Sequence, residues 1–372
     1  MAKKATAMQG DRAGSTVTVG IAGCGAIAFY KHLPSLRKIA HVRIGGLYDR
    51  NRFKAENARR DFGDDSTRVY DTFEHLIADE RIDVVHVCTN NASHASMTIA
   101  ALEAGKHVMC EKPMARNAVE ARAMVEAATR TRRKLSISFQ NRFRPEAQYL
   151  HALCRNAELG DIYFAKAHAI RRRAVPTWGS FHNRSIQGGG CLIDIGSHAL
   201  DLALWMMGKY KPRSVVGNVY DKLVKRMSGA NAWGRWDPSA SSVEDAAFAL
   251  ITMEHGETIF LEASWALNVV EDIEAKVTLC GTEGGADMTR NLRITGEKFG
   301  QLFTTTVDTD AHVHRTRVTL ESAADLEARL WIECIVNDSE PVVKPEEALV
   351  VAEIIDAIYE SSAKKGPVHF TD

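Results

Sequence analysis

The 372-residue sequence has no excess of charge of either sign: 47 lysines and arginines stand against 47 aspartates and glutamates. A balanced chain carries no long-range field that would draw it to nucleic acid or to an anionic membrane surface, so neither partner is expected. It also lacks any apolar run near the roughly eighteen residues that a bilayer helix needs, so no membrane span is expected. The seven cysteines stand singly, with no CxxC pair and no Cys/His cluster at zinc spacing. That excludes a disulfide framework and a structural zinc site, and fits free, mostly buried thiols in a reducing cytoplasm. No internal repeat or low-complexity tract is present. Residues 1–15 are small and polar, with no apolar stretch, and read as a disordered tail rather than a signal peptide.

What is present is the composition of a globular protein, 45% hydrophobic and 25% charged, over a length that suggests two domains. From Thr16 to about Phe139 strands and helices alternate. Strands are expected over Thr16–Ala22, Val42–Tyr48, Asp83–Cys88, Lys106–Cys110 and Leu135–Phe139. Helices are expected from Ala26 and over Asn51–Phe62, Ser93–Ala104 and Asn117–Arg132. This pattern implies a doubly wound parallel sheet of Rossmann type, assigned to residues 16–140. The remainder, 141–372, reads as an α+β domain with a large, mostly antiparallel sheet. Its strands are Ile162–Arg171, Ser214–Tyr220, Ala246–Met253, Glu257–Trp265 and Ile273–Cys280, with a tight hairpin turn at Glu254–Glu257. Its helices are Glu146–Asn156, Cys191–Met207, Ala323–Asn337 and Pro345–Ala363. The segment Lys222–Ser242 has no periodicity and reads as a long loop.

Gly23-Cys24-Gly25-Ala26-Ile27-Ala28 follows the first expected strand and opens a helix. Gly23 allows the tight turn, Gly25 lets backbone approach a pyrophosphate, and Ala28 is small enough for close helix–strand packing. The amides of the first helical turn then face the phosphates. Asp49, at the end of the second strand, is placed to accept hydrogen bonds from ribose hydroxyls. A carboxylate there favours NAD over NADP, and Arg50 beside it keeps NADP open.

Glu111-Lys112-Pro113 follows the Lys106–Cys110 strand, at the carboxyl edge where open α/β sheets bind ligands. A lysine held near a nicotinamide can donate to a reacting oxygen. This turn, with Cys88-Thr89-Asn90-Asn91-Ala92-Ser93-His94 and the run Ala101–Lys106, strongly resembles the glucose–fructose oxidoreductase, inositol dehydrogenase and rhizopine-catabolism family. The likeness runs from about Val17 to Pro367; Asn90 departs from it, since many members carry proline there. The resemblance implies a Rossmann domain followed by an α+β domain whose open sheet often forms a dimer or tetramer interface. It implies hydride transfer between NAD(P) and sugars, cyclitols or related polyols. It also implies that Thr89, Asn90, Asn91, His94, Glu111, Lys112 and Asn141 contribute to the cofactor site, beside the turn residues. Gln140–Phe143, with Arg142, is expected to line the cleft between domains, Arg142 on the substrate side.

A second constellation is Gly188-Gly189-Gly190-Cys191-Leu192-Ile193-Asp194-Ile195-Gly196-Ser197-His198-Ala199-Leu200-Asp201. Three successive glycines suggest close approach of backbone to a ligand. On an α-helix begun near Cys191, Asp194 and His198 share one face, and Asp201 lies near it. Spacing alone leaves open a surface histidine with a capping aspartate. The resemblance assigns the pair substrate-binding and catalytic roles. Oxidising a secondary alcohol requires a base for the hydroxyl proton, and an imidazole titrating near neutrality suits that task. His198 is therefore the expected base, Asp194 the group that orients hydroxyls, and Lys112 the donor to the reacting oxygen, or the base itself if burial lowers its pKa.

The segment Arg171–Asn183 joins a strand to the glycine run. Its Trp178 offers a flat face to a pyranose ring or to the nicotinamide; the alternative is a solvated basic strand end with a packed tryptophan. Trp233 and Trp236, in the long loop, face either substrate or a neighbouring subunit. No metal site is indicated. Three functions remain: a sugar or polyol dehydrogenase, a glycosidase that uses NAD for transient oxidation and elimination, and a dinucleotide-sensing regulator. Lys112, Asp194 and His198 favour an enzyme.

Overall fold

The computed structural model describes residues 16–226, 229–309 and 321–371. The tail expected over residues 1–15 lies outside the described residues, as do positions 227–228 of the long loop.

Six parallel strands form the first sheet: β1 Val17–Ala22, β2 Val42–Tyr48, β3 Arg68–Val69, β4 Val84–Val87, β5 His107–Glu111 and β6 Leu135–Ser138, in the order β3-β2-β1-β4-β5-β6. The order reverses between β1 and β4, which opens a crevice at their carboxyl ends. Gly23, Cys88 and Lys112 all leave the sheet at that edge. β1 is buried along its whole length, because a sheet covered by helices on both faces has no wet side. Helix Arg52–Phe62 is capped by Asn51, and helix Ala118–Thr131 by Asn117.

The second sheet has nine strands: β7 Ile162–Ile170, β8 Pro212–Tyr220, β9 Ala246–Met253, β10 Thr258–Ser264, β11 Ile273–Gly281, β12 Gly284–Asp287, β13 Arg293–Lys298, β14 Gln301–Thr306 and β15 Val368–His369. Their order is β14-β13-β12-β11-β7-β10-β9-β8-β15, antiparallel except for the β7–β10 pair. β9 and β10 are joined at the expected turn, where Gly256 adopts φ +96°. β12 to β14 extend the sheet beyond the strands expected from sequence; Gly284-Gly285 carry little strand propensity and are strands through ladder pairing, whereas the Leu, Phe and Thr of β14 favour a strand but, all exposed, lack the alternation that marks one.

One face of this sheet is covered by helix Ser197–Met207, packed on β7 and β11, and by helix Pro345–Lys364, packed on β8. Every residue of Ser197–Met207 is buried, the signature of a helix enclosed on all sides. Helix Ala323–Val336 returns to the first half of the chain. Its Trp331, Ile332, Cys334 and Ile335 share a core with Val19, Leu33 and Leu36.

Two helices depart from the simple form expected. Ala28–His32 and Leu192–Gly196 are π-helical, with Leu33 N bonding Ala28 O and Ser197 N bonding Leu192 O, five residues back. Such turns admit one extra residue and recur at functional sites.

Candidate active site

Two adjoining cavities lie along the carboxyl edge of the parallel sheet, and Thr89 and Asn90 line both. The first, about 300 Å³, is bordered by Gly23, Gly25, Asp49 and Arg50. Gly23 adopts φ +92°, and a Cβ on it would stand 2.7 Å from Cys88 O, so only glycine fits. A Cβ at Gly25 would meet nothing within 4 Å: the space above this backbone is open to a ligand. Asp49 is fixed from two sides, accepting from Cys24 N at 2.9 Å and from Asn51 N at 2.8 Å. The Cys24 amide is thus committed to Asp49. Its side chain is buried, and burial with the nearby Asp49 charge pushes the thiol up to about 12. Gly25, Ala26 and Ile27 supply the amides at the start of the helix, which have no intrahelical acceptor. An open pyrophosphate cradle and an oriented carboxylate are the features a dinucleotide requires, and the residues present fit it. Lys54, which the sequence reading did not single out, lines the same cavity.

The second cavity, about 400 Å³, is bordered by Ala26, Ile27, Asn91, Glu111, Lys112 and Asp194. Lys112 Nζ donates to Asp194 Oδ1 and to Asp194 O, both at 2.9 Å. Trp265 Nε1 donates to Asp194 Oδ2 at 2.9 Å. Burial alone would raise the Asp194 carboxyl, but the charges of Lys112 and Arg171 outweigh it and hold it below the usual range. Trp265 lies at the end of β10, 71 residues from Asp194, and nothing local in the sequence marks it as a partner.

His198 stands at the start of the α-helical part, directly after the π turn that carries Asp194. It is 6% exposed, its Nδ1 has no hydrogen-bond partner among the described residues, and Phe139 meets the ring edge-on. Burial, reinforced by the Lys112 charge, holds its pKa well below that of an ordinary imidazole. It does not border either cavity. It sits behind the Lys112–Asp194 pair, within the field of both.

The other expected site residues differ in how far they reach the cleft. His94 is fully buried; its ring nitrogens lie 2.8 Å from Pro113 O and 3.2 Å from Thr89 O, so it ties two loops together behind the cleft. Asn141 is buried in a short turn outside the cavity walls. Arg142 has no exposed surface. It spends its guanidinium on Asp201, at 2.7 Å, on Glu347, at 2.7 Å, and on Val342 O. Neither Arg142 nor Asp201 faces the cleft. Asn91 borders it but donates its amide to Gln187 O at 2.9 Å. Glu111 touches the cavity from beneath. It pairs with Lys31 at 3.0 Å and His32 at 2.8 Å, and its Oε2 accepts from Lys112 N at 3.1 Å.

The Cβ positions of the glycine run are filled by protein, while Gly189 also borders the second cavity. A Cβ at Gly188, Gly189 or Gly190 would fall 2.6 Å from Arg116 O, 1.9 Å from Tyr359 Oη or 2.0 Å from Glu244 O. Glu244 Oε1 takes the amides of Gly190 at 2.8 Å and Leu192 at 3.1 Å, and so sets the start of the π turn. Trp178 projects from the rim, 53% exposed, beside Gly179, Ser180 and Phe181 of the cavity wall. Among the described residues no group of three or more His, Cys, Asp or Glu is placed to hold a metal, and no helix is long and apolar enough to cross a membrane.

Residues 17–139 match the model of an oxidoreductase family with an NAD-binding Rossmann fold, and residues 152–370 match the C-terminal alpha/beta domain of the same family. A D-glucoside 3-dehydrogenase of Escherichia coli (strain K12) is 32% identical over 355 residues, 95% of this chain and 98% of that protein. An oxidoreductase domain protein from Kribbella flavida superposes with a TM-score of 0.84 at 22% identity, over 96% of this chain and all of the other. A levoglucosan dehydrogenase in complex with NADH and levoglucosan superposes at 0.80, also at 22% identity and with the same coverage.

Proposed function

The chain belongs to the glucose–fructose oxidoreductase, inositol dehydrogenase and rhizopine-catabolism family of NAD-binding oxidoreductases, and from that premise we propose that it oxidises a ring hydroxyl of a pyranose sugar with NAD. The observation that carries this reading is the Lys112–Asp194–Trp265 cluster, set in a cavity continuous with the dinucleotide cradle. The full-length likeness to a glucoside 3-dehydrogenase supports a glucose-type ring and its 3-hydroxyl. Asp49, fixed on both oxygens, supports NAD over NADP, since a carboxylate repels a 2′-phosphate.

When bound, the nicotinamide supplies the acceptor for the hydride. The protein's task is to hold the sugar and move one proton. Lys112 Nζ donates to the reacting oxygen and stabilises negative charge as the hydroxyl proton leaves. Asp194, with Lys112 and Trp265 already on its two oxygens, keeps lone pairs for neighbouring sugar hydroxyls and stays ionised. His198, held neutral by burial, lies behind the cavity wall, so the proton reaches it through Lys112, which passes its own proton to the imidazole as it takes that of the hydroxyl. Glu111 acts through its neighbour, anchoring the Lys112 amide. Seven free cysteines support a reducing, cytoplasmic setting. The exposed Val216, Tyr220 and Leu250 on the uncovered face of the second sheet support a dimer or tetramer.

The test is NADH absorbance with purified protein and NAD or NADP, against methyl glucoside, glucose, levoglucosan and myo-inositol. NADH should accumulate with a glucopyranoside. No turnover of any glucopyranoside, or release of an aglycone with no net NADH, would overturn the assignment.

A further inference from the structure

Beyond the wall of the second cavity the rim carries two tryptophans from segments far apart in the chain. Trp178 is 53% exposed and Trp233, from the long loop, 39%. Their ring centroids are 4.9 Å apart and their planes inclined by 60°, so they form two walls of a corner. Singly exposed apolar residues are ordinary, but an exposed aromatic pair beside a cleft marks a binding surface.

The corner is built. Thr177 Oγ1 donates to Trp233 O at 2.9 Å, Ala232 N to Arg173 O at 3.0 Å, and Asn231 exchanges hydrogen bonds with the Val175 backbone at 2.8 and 3.0 Å. Arg171 lies 5.0 Å over the Trp233 ring and is held there by two bonds to Glu274, at 2.6 and 2.5 Å. Of the arginine run, Arg171 is thus spent on Glu274 and the Trp233 ring, and Arg173 on Leu267 O, while Arg172 stays exposed. The corner is continuous with the reacting centre through rings: Trp178 stands 6.1 Å from Phe181, and Phe181 stands 6.2 Å from Trp265, which bonds Asp194.

We propose that the Trp178–Trp233 corner is a second sugar subsite, holding the ring joined to the one that is oxidised, so that the preferred substrate is a disaccharide. The inference rests on the pyranose-oxidising reading of the cleft. A single pyranose occupies the Lys112–Asp194 cavity, and the next ring of a glycoside has to leave across the rim. Indole faces suit the apolar C–H face of a pyranose, while its hydroxyls stay in water. Levoglucosan and free glucose, with no second ring, leave the corner empty.

The test measures binding and turnover separately. Quenching of tryptophan fluorescence gives Kd for glucose, maltose and cellobiose, in wild type, Trp233→Ala and Trp233→Phe, all in the presence of NADH. Wild type should bind one of the disaccharides about tenfold more tightly than glucose, about 1.4 kcal/mol. Trp233→Ala should weaken that disaccharide at least fivefold more than glucose, and Trp233→Phe should restore most of the difference. The proposal is overturned if wild type shows no disaccharide preference. It is equally overturned if Trp233→Ala weakens glucose and disaccharide alike, or if the variant changes only the oligomeric mass, which would make the corner a subunit contact. NADH production from glucose by wild type, read in parallel, reports on the pyranose-oxidising assignment alone.

Discussion

At the scale of the residue, the proposed base and the proposed ribose ligand are both set by what surrounds them. His198 is buried beside the Lys112 charge, so its conjugate acid is disfavoured and its pKa lies well below the ordinary imidazole value. A base is competent when neutral. Lowering its pKa extends competence to lower pH, so the acid limb of kcat/KM should fall below about pH 6.5, the unperturbed histidine value. A limb centred above pH 7.5 would remove His198 as the base. Changing His198→Asn keeps a polar side chain but no base, and should lower kcat by about 10²–10⁴ with little change in NAD affinity. Asp49 is the proposed ribose ligand. Its carboxylate is held by the Cys24 and Asn51 amides. Asp49→Asn should raise KM for NAD by about tenfold, in line with the loss of a charged hydrogen bond, and narrow the ratio of NAD to NADP use. Wild-type protein that prefers NADP would refute the role given to Asp49.

At the scale of the element, the helix after the glycine turn is tied to a helix from the far end of the chain. Lys31 is buried between Glu111 and Glu327, at 3.0 and 2.8 Å, and Ser138 also contacts it. Burial alone would raise the Glu111 carboxyl, but Lys31 and the His32 hydrogen bond hold it well below its ordinary value. A carboxylate with a depressed folded pKa stabilises the native state above its unfolded pKa, about 4.3, and that stability is lost as pH falls through and below it. Removing one partner leaves a buried charge uncompensated. Lys31→Met, which strips both carboxylates of their cation, should cost about 3 kcal/mol, lowering the melting temperature by roughly 6–12 °C. Adding Glu111→Gln and Glu327→Gln to that variant should recover most of the loss. No recovery in the thermal melt would show that Lys31 acts by packing rather than by charge.

At the scale of the whole molecule, the helices cover one face of the nine-stranded sheet and leave Val216, Tyr220 and Leu250 on the other. Apolar surface of this kind favours association. Light scattering on eluting protein should give the mass of a dimer or tetramer, and Leu250→Glu should shift it toward monomer while leaving the cofactor cavity intact. A wild-type monomer at micromolar concentration would refute this use of the face.

Local chemistry determined much of this protein from sequence. The turn at Gly23–Ala28, the acid at Asp49 and the Lys112 strand end were legible because each rests on backbone conformation and short spacing. The alternation of strand and helix was legible for the same reason. The Asp194–His198 pairing was also visible, though read as one α-helical face and not as a π turn leading into a helix. Tertiary structure alone decided which polar groups reach the cleft. Trp265 meets Asp194 across 71 residues, and Glu244 sets the glycine run from 54 residues away. His94 and Arg142 look like site residues by neighbourhood, yet their polar atoms are spent on buried partners. Long-range partners leave no periodic trace, because a side chain's use is set by what the fold brings to it.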